Sequence, residues 1–302
     1  MKNFEILDGI TEANITFYKK NGFLVAPKLV SETLIEQLRQ EATHIVTGKR
    51  GDIEGLQNHS DKDTTKTILK KYVAIHFPHK ISEFIKSVAK ASKVADILQY
   101  LIGTNVKCLQ TMLFIKAPGK KGQAWHQDEF FIPTRDRSLT GVWLAIDDAD
   151  VNNGCLWVIP GSHNDGIIRK RVPNSDSNFA DTEVADLTPY TEKDFVAVPV
   201  KKGGVIFFNG YLLHMSLKNK TTDRFRRALV SHYSSAESML PWDMDGRVAA
   251  TNDFRDIFIV AGTDPYGYKG TENLAKPFVR PDTVDFGTEA FRKSLDYKTP
   301  KA

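Results

Sequence analysis

The hydrophobic period changes at Gly103, and that change constrains the fold more than any other feature of the chain. Beyond it lie six short runs rich in β-branched and aromatic residues, at 106–117, 139–147, 155–160, 195–200, 204–208 and 227–234. Clusters of Gly, Pro, Asn and Asp separate them, which is the pattern of a sandwich or barrel. A parallel sheet needs a crossover helix between successive strands, and these spacings are too short for one. The expected fold is mainly β with N-terminal helices: a double-stranded β-helix, or jelly roll, of cupin-like form.

Ahead of Gly103 the pattern is helical. Thr11-Glu12-Ala13-Asn14 suits a helix start, Ile15, Tyr18 and Phe23 give it an apolar stripe, and Asn21-Gly22 stops it. Phe23-Leu24-Val25-Ala26 reads as a short strand, and Ser31 opens a second helix in which Leu34, Leu38 and Ala42 share a face. Residues 48–68 read as a polar loop and 80–102 as helix. The 161–194 stretch is long and charged, and is expected to cross between sheets or cover a pocket mouth. One domain over 1–302 is expected, with a helical buttress at about 1–103, a jelly-roll core at about 104–236 and an irregular tail at about 237–302.

The chain has 302 residues, 41% hydrophobic and 26% charged, which is enough to bury a sizeable core. Its formal charge of +4 is not gathered into a basic run, and the short clusters Arg169-Lys170-Arg171 and Arg224 to Arg227 do not alternate with stacking aromatics. A nucleic-acid partner is therefore not expected. Cys108 and Cys155 sit in apolar runs and read as buried thiols. There is no signal-peptide pattern at the start and no run of about 20 apolar residues. The reading is a soluble, cytoplasmic protein with no membrane partner.

Trp125-His126-Gln127-Asp128 follows a turn, Pro118 to Gly122, and His214 closes a second apolar run after Asn209-Gly210. Two histidines and one carboxylate can hold one face of a six-coordinate Fe(II) and leave three positions open for a co-substrate and dioxygen. The His-x-Asp step lets both side chains leave one strand end on the same side. Alone, the tripeptide is a weak signal, and a histidine ending an apolar run is often a satisfied core residue. Their combination with Ser216 and Arg226 carries the argument. A guanidinium can grip the far carboxylate of a 2-oxo acid through two parallel hydrogen bonds. Arg224 lies on the same strand face as Arg226 by alternation, and Arg227 on the other.

These residues together resemble the phytanoyl-CoA dioxygenase family of Fe(II)- and 2-oxoglutarate-dependent oxygenases. The likeness begins at Phe17-Tyr18-Lys19-Lys20-Asn21-Gly22-Phe23 and continues through Thr111 to Phe114 and Trp125 to Asp128. It then takes in Asn153 to His163, with its Pro160-Gly161-Ser162-His163 turn, His214, Ser216 and Phe225-Arg226-Arg227-Ala228. It implies that His126, Asp128 and His214 bind iron and that Arg226 and Ser216 hold the C5 carboxylate of 2-oxoglutarate. Met112, Gln127 and Trp143 match positions lining the co-substrate site, and Lys71 matches a further lysine contact. In the family pattern the arginine falls where Phe225 stands here, and a one-residue insertion in the 218–223 turn restores the register. His163 reads as structural, and His76 and His79 as loop structure or pocket lining. No role is read for His44, His59 or His232.

The resemblance further implies hydroxylation of a small-molecule C–H bond with dioxygen, releasing succinate and CO2, with desaturation or ring chemistry as variants. Related halogenases replace the carboxylate ligand by a small residue, so Asp128 implies a hydroxylase. A cupin-like isomerase or zinc hydrolase would have no use for Arg226 and Ser216, and a binding module without catalysis would have no need of the triad. Phe130, Phe131, Trp143, Trp157 and Tyr211 could line an apolar pocket or pack the core. Neither substrate identity nor oligomeric state is legible.

Overall fold

The computed structural model describes residues 5–6, 8–60, 62–238, 257–271 and 275–280. In chain order the strands are β1 (Phe23–Ala26), β2 (Ala74–His76), β3 (Val106–Lys116), β4 (Gln123–His126), β5 (Thr140–Ala145), β6 (Leu156–Val158) and β7 (Arg171–Pro173). They continue as β8 (Glu183–Ala185), β9 (Val196–Val198), β10 (Val205–Asn209), β11 (His214–Ser216), β12 (Arg226–Ser235), β13 (Phe258–Ala261) and β14 (Phe278–Val279). The helices are α1 (Glu12–Asn21), α2 (Glu32–Val46), α3 (Thr65–Lys70), α4 (Glu83–Ala89) and α5 (Ser92–Leu101).

The large sheet runs β1-β10-β5-β12-β3-β2-β14, with β13 also on β3, and a smaller one runs β4-β11-β6-β9. Every pairing between named strands is antiparallel. Period-2 alternation divides the large sheet into two apolar faces. Leu24, Val142, Leu144, Phe207 and Leu229 face a core shared with Ile35, Leu38, Ile45, Ile85 and Leu98 of the helices. Val25, Trp143, Ala145, Ile206, Phe208, Ala228 and Val230 pack with Leu156, Val158 and Val198 of the small sheet. Two sheets face to face with helices on one outer surface make the jelly roll that the strand pattern predicts.

Local chemistry sets the element ends. The Thr11 side chain accepts from the Asn14 backbone while Asn14 returns a bond to the Thr11 backbone, and Gly22, with φ 84°, ends α1 in the left-handed region. Ser31 caps α2. The expected helix at 80–102 is two helices, because the chain turns at Lys90 and Ala91. The expected loop at 48–68 ends in α3, whose N-cap is Thr64. The tail differs from the irregular wrap expected of it: where described, it adds β13 and β14 to the large sheet, while residues 239–256 and 281–302 lie outside the described residues. The 161–194 stretch carries the β7–β8 hairpin. It packs Phe179, Val184, Ala185 and Leu187 over Trp125, Leu213 and Met215, on the outer face of the small sheet.

One irregularity matters for the site. The β12–β3 register slips between His232 and Tyr233, opposite Gln110 and Cys108, leaving Leu109 as the extra residue. Beyond the slip, Met112 and Phe114 of β3 join the inner core, whereas Leu113 and Ile115 join the helical one. Gln110, Met112, Phe114 and Lys116 therefore share the inward face with Arg226, Ala228, Val230 and His232 of β12. Among the described residues no helix is long and apolar enough to cross a membrane.

Candidate metal centre

The ligand histidines stand opposite each other across two paired strands, since His126 of β4 is the register partner of His214 of β11. Two structural features hold β11 in place. Gly210 lies so close to Leu139 that a Cβ there would be 2.7 Å from the Leu139 Cβ. The buried Ser162 hydroxyl, in the Pro160-Gly161-Ser162-His163 turn, accepts from the Leu213 backbone at 2.9 Å. His163 itself faces the other way, with its Nε2 at 3.1 Å from the Lys19 carbonyl, in the structural role expected of it.

Each ligand ring is fixed in one tautomer. His126 Nδ1 lies 2.7 Å from the Ala124 carbonyl and His214 Nδ1 lies 2.9 Å from the Leu212 carbonyl. A carbonyl can only accept, so both Nδ1 atoms carry the proton and both Nε2 atoms present a lone pair. The Nε2 atoms are each 3.6 Å from Asp128 Oδ1. One ligand atom from each of the three residues fits within a 4.8 Å group. A metal about 2.1 Å from each donor would place neighbouring donors about 3 Å apart, so the site fits a six-coordinate ion with small movements. All three side chains are buried. Burial, with His214 alongside, pushes the His126 imidazolium well below its ordinary range and keeps it neutral, as a ligand must be. Burial alone would raise the Asp128 carboxyl, but His232, which donates to its Oδ2, holds it below the usual carboxylate range.

His232, to which the sequence reading assigns no role, completes the site. Its Nε2 donates to Asp128 Oδ2 at 2.8 Å, leaving Oδ1 toward the histidines. Gln110 Nε2 lies 3.2 Å from His232 Nδ1 and fixes that ring in turn. The sequence signal was alternation: His232 is six residues from Arg226 on one strand and must share its face. Replacing His232 by alanine is expected to weaken iron binding about 10- to 100-fold, as loss of an outer hydrogen-bond partner typically does. Titrating the variant with Fe(II) under anaerobic conditions checks this, and wild-type affinity would remove His232 from the account.

Arg226 is buried at the start of β12, which sets it apart from the two neighbouring arginines. Arg224 precedes the strand, is exposed and bonds Asp150 at 2.7 Å. Arg227 faces the helical side and grips Asp147 with bonds of 2.7 and 2.8 Å. Arg226 has no acidic partner among the described residues. Its Nε lacks any hydrogen-bond acceptor, and its guanidinium lies 5.5 Å over the Trp143 ring. Burial pushes its pKa down to about 10, which leaves it charged at neutral pH. A buried, unpaired guanidinium is costly unless an anion joins it.

Lys116, the register partner of Arg226, adds a second buried basic group that sequence reasoning missed. Its Nζ donates to Ser216 Oγ at 2.8 Å and to the Leu217 carbonyl at 2.6 Å. Burial, then the charge of Arg226, push its pKa well below the ordinary lysine value. Met112 and Trp143 pack on the same inner face. The other two expected co-substrate contacts are engaged elsewhere. Gln127 Nε2 donates to the Ile167 and Tyr211 carbonyls and its Oε1 accepts from the Arg169 backbone, so it ties two loops together. Lys71 ends α3 and pairs with Asp63 at 3.3 Å. His76 is not loop but strand, stacked on Phe278 at 4.3 Å, and His79 is buried with Nδ1 2.7 Å from Thr111 Oγ1. Cys108 and Cys155 are buried free thiols.

The profile of one protein family, phytanoyl-CoA dioxygenase (PhyH), matches residues 18–228. The chain belongs to the phytanoyl-CoA dioxygenase family. Among curated relatives it is 29% identical over 285 residues to phytanoyl-CoA dioxygenase domain-containing protein 1 of Danio rerio, covering 82% of this chain and 97% of that protein. Among solved structures its fold is similar to the non-heme monooxygenase ThoJ, with a TM-score of 0.64 at 18% identity, covering 93% of this chain and 92% of that one. It is also similar to iron-bound EctD from S. alaskensis, with a TM-score of 0.60 at 22% identity over 76% and 79% of the two chains. Family membership and the His126–Asp128–His214 cluster make this member of the family an oxidoreductase, an iron- and 2-oxoglutarate-dependent oxygenase that uses dioxygen.

Proposed function

We propose that this oxygenase hydroxylates a C–H bond of a small-molecule substrate. Substrate, 2-oxoglutarate and dioxygen give an alcohol, succinate and CO2, with one oxygen atom entering each organic product. In this reading His126, Asp128 and His214 hold the iron, and Arg226 and Ser216 hold the far carboxylate of 2-oxoglutarate against the wall formed by Trp143 and Met112. Bound iron supplies the reduction of dioxygen, with electrons from the 2-oxo acid, to an oxidant able to break a C–H bond.

One juxtaposition carries the reading: a carboxylate stands with the two histidines, and a guanidinium with no acidic partner among the described residues stands on the same inward face. Asp128, held from behind by His232, leaves no vacancy for a halide in the ligand set. In this reading the substrate enters beside Phe130, Phe131 and Arg171. Phe131 packs 6.2 Å from the His126 ring, Phe130 beside it is exposed, and the Arg171 guanidinium lies 5.7 and 5.9 Å from the two rings. Such a mouth suits a substrate with apolar carbon next to a polar or anionic group.

Incubation with candidate substrates under isotopically heavy dioxygen tests the proposal. Hydroxylation predicts one heavy atom in the alcohol and one in succinate. A product lacking two hydrogens and gaining no oxygen would assign desaturation or ring closure instead.

A further inference from the structure

We infer that Gln123 is a positioning residue for the co-substrate: its side-chain amide donates a hydrogen bond to the iron-chelating end of 2-oxoglutarate. This inference rests on the 2-oxoglutarate reading of the site.

The backbone aims Gln123 at the site. In the β4–β11 ladder His214 faces His126 and Ser216 faces Gln123, so three steps on β4 match two on β11. That is a bulge, and a bulge redirects a side chain that strict alternation would send to the other face. Trp125, two residues away, belongs to the outer cluster with Met215 and Leu213. Gln123 nevertheless reaches the inner side, where its Nε2 lies 3.0 Å from His126 Nε2. Gly122 makes the bend possible, because a Cβ there would fall 2.1 Å from the Ser216 carbonyl oxygen.

That contact cannot persist in the iron-loaded protein. His126 Nδ1 is protonated toward Ala124, so Gln123 donates to the Nε2 lone pair, the one that the metal takes. It is the only hydrogen bond of the Gln123 side chain among the described residues. Metal binding therefore releases a half-buried amide donor next to the iron. Ser216, its cross-strand neighbour, carries the Lys116 bond and lies beside the far-carboxylate anchor. Gln123 thus stands between the iron ligand His126 and the anchor for the distal carboxylate, along the length that a bound 2-oxo acid spans. The acceptor that fits a neutral donor there is a carboxylate oxygen.

Anaerobic titration of Fe(II)-loaded protein with 2-oxoglutarate, followed by calorimetry and by the visible charge-transfer absorption of the complex, reads this directly. Gln123→Leu keeps the shape and removes the donor. It is expected to keep Fe(II) affinity within about threefold, weaken 2-oxoglutarate about tenfold and shift the absorption band, as loss of one charge-assisted hydrogen bond would. Gln123→Glu, which places an acceptor against a carboxylate, is expected to weaken 2-oxoglutarate further. Unchanged 2-oxoglutarate affinity and band position in Gln123→Leu would overturn the inference while leaving the co-substrate reading intact. A Gln123→Leu protein that loses Fe(II) would also overturn it, by making the residue part of the metal face. If the wild-type protein itself fails to bind 2-oxoglutarate, the underlying reading falls with it.

Discussion

Replacing Asp128 by alanine is expected to remove tight Fe(II) binding and to lower turnover at least about 100-fold, the largest effect of any single substitution in this protein. The reason is geometric and electrostatic together. Asp128 Oδ1 is 3.6 Å from both histidine Nε2 atoms and is the only anionic donor in the group. Without it two neutral imidazoles remain, and the buried divalent charge has no carboxylate to offset it. The substitution also strands His232, whose Nε2 bonds Asp128 Oδ2. Anaerobic Fe(II) titration and succinate release from the same protein check the result. A variant with wild-type turnover would remove Asp128 from the ligand set.

The second large effect is expected at Arg226. Replacement by methionine should weaken 2-oxoglutarate by two to three orders of magnitude, about 3–4 kcal/mol, while Fe(II) affinity stays near wild type. Arg226→Lys keeps a charge but loses the planar fork, so a smaller loss, about tenfold, is expected. Removing the guanidinium also removes a buried charge that has no partner among the described residues, so the methionine variant should fold at least as stably. Arg224→Lys is the control: Arg224 is exposed and tied to Asp150, and 2-oxoglutarate binding should not change. Calorimetric titration of the three variants separates these outcomes. A loss confined to Arg224→Lys would show that the distal carboxylate binds elsewhere.

Much of this was legible because strand alternation and turn chemistry act locally. Six runs with turn residues between them gave six strands at nearly their expected positions, and Thr11, Gly22 and Ser31 set helix ends as capping chemistry requires. The pieces that escaped are those that tertiary contacts create. β2, β13 and β14 have two to four residues each and persist by pairing along the edge of the large sheet. The break between α4 and α5 carries neither Gly nor Pro to mark it.

Within the site, the triad and Arg226 could be read because each leaves a spacing or a strand position in the sequence. Gln127 shows the opposite case. Its place between two ligands suggests a co-substrate contact, yet the side chain of the middle residue diverges from its neighbours and bonds the backbone at 167, 169 and 211. His232, Lys116 and Gln123 were missed because their roles depend on register. Two of the three sit beside a slip, at His232–Tyr233 and at His214–Ser216, that no local pattern announces. Only once Arg226 is placed on the inner face does alternation bring in His232, and only the β12–β3 pairing brings in Lys116.

Succinate formation by the iron-loaded protein is the most direct measurement of the central claim. Purified protein supplied with Fe(II), 2-oxoglutarate and air should release succinate and CO2 slowly without substrate and faster with one. The release should vanish in Asp128→Ala and on chelation of the metal. Succinate formation that persists in Asp128→Ala, or its complete absence from the wild-type protein that has bound both iron and 2-oxoglutarate, would contradict the account.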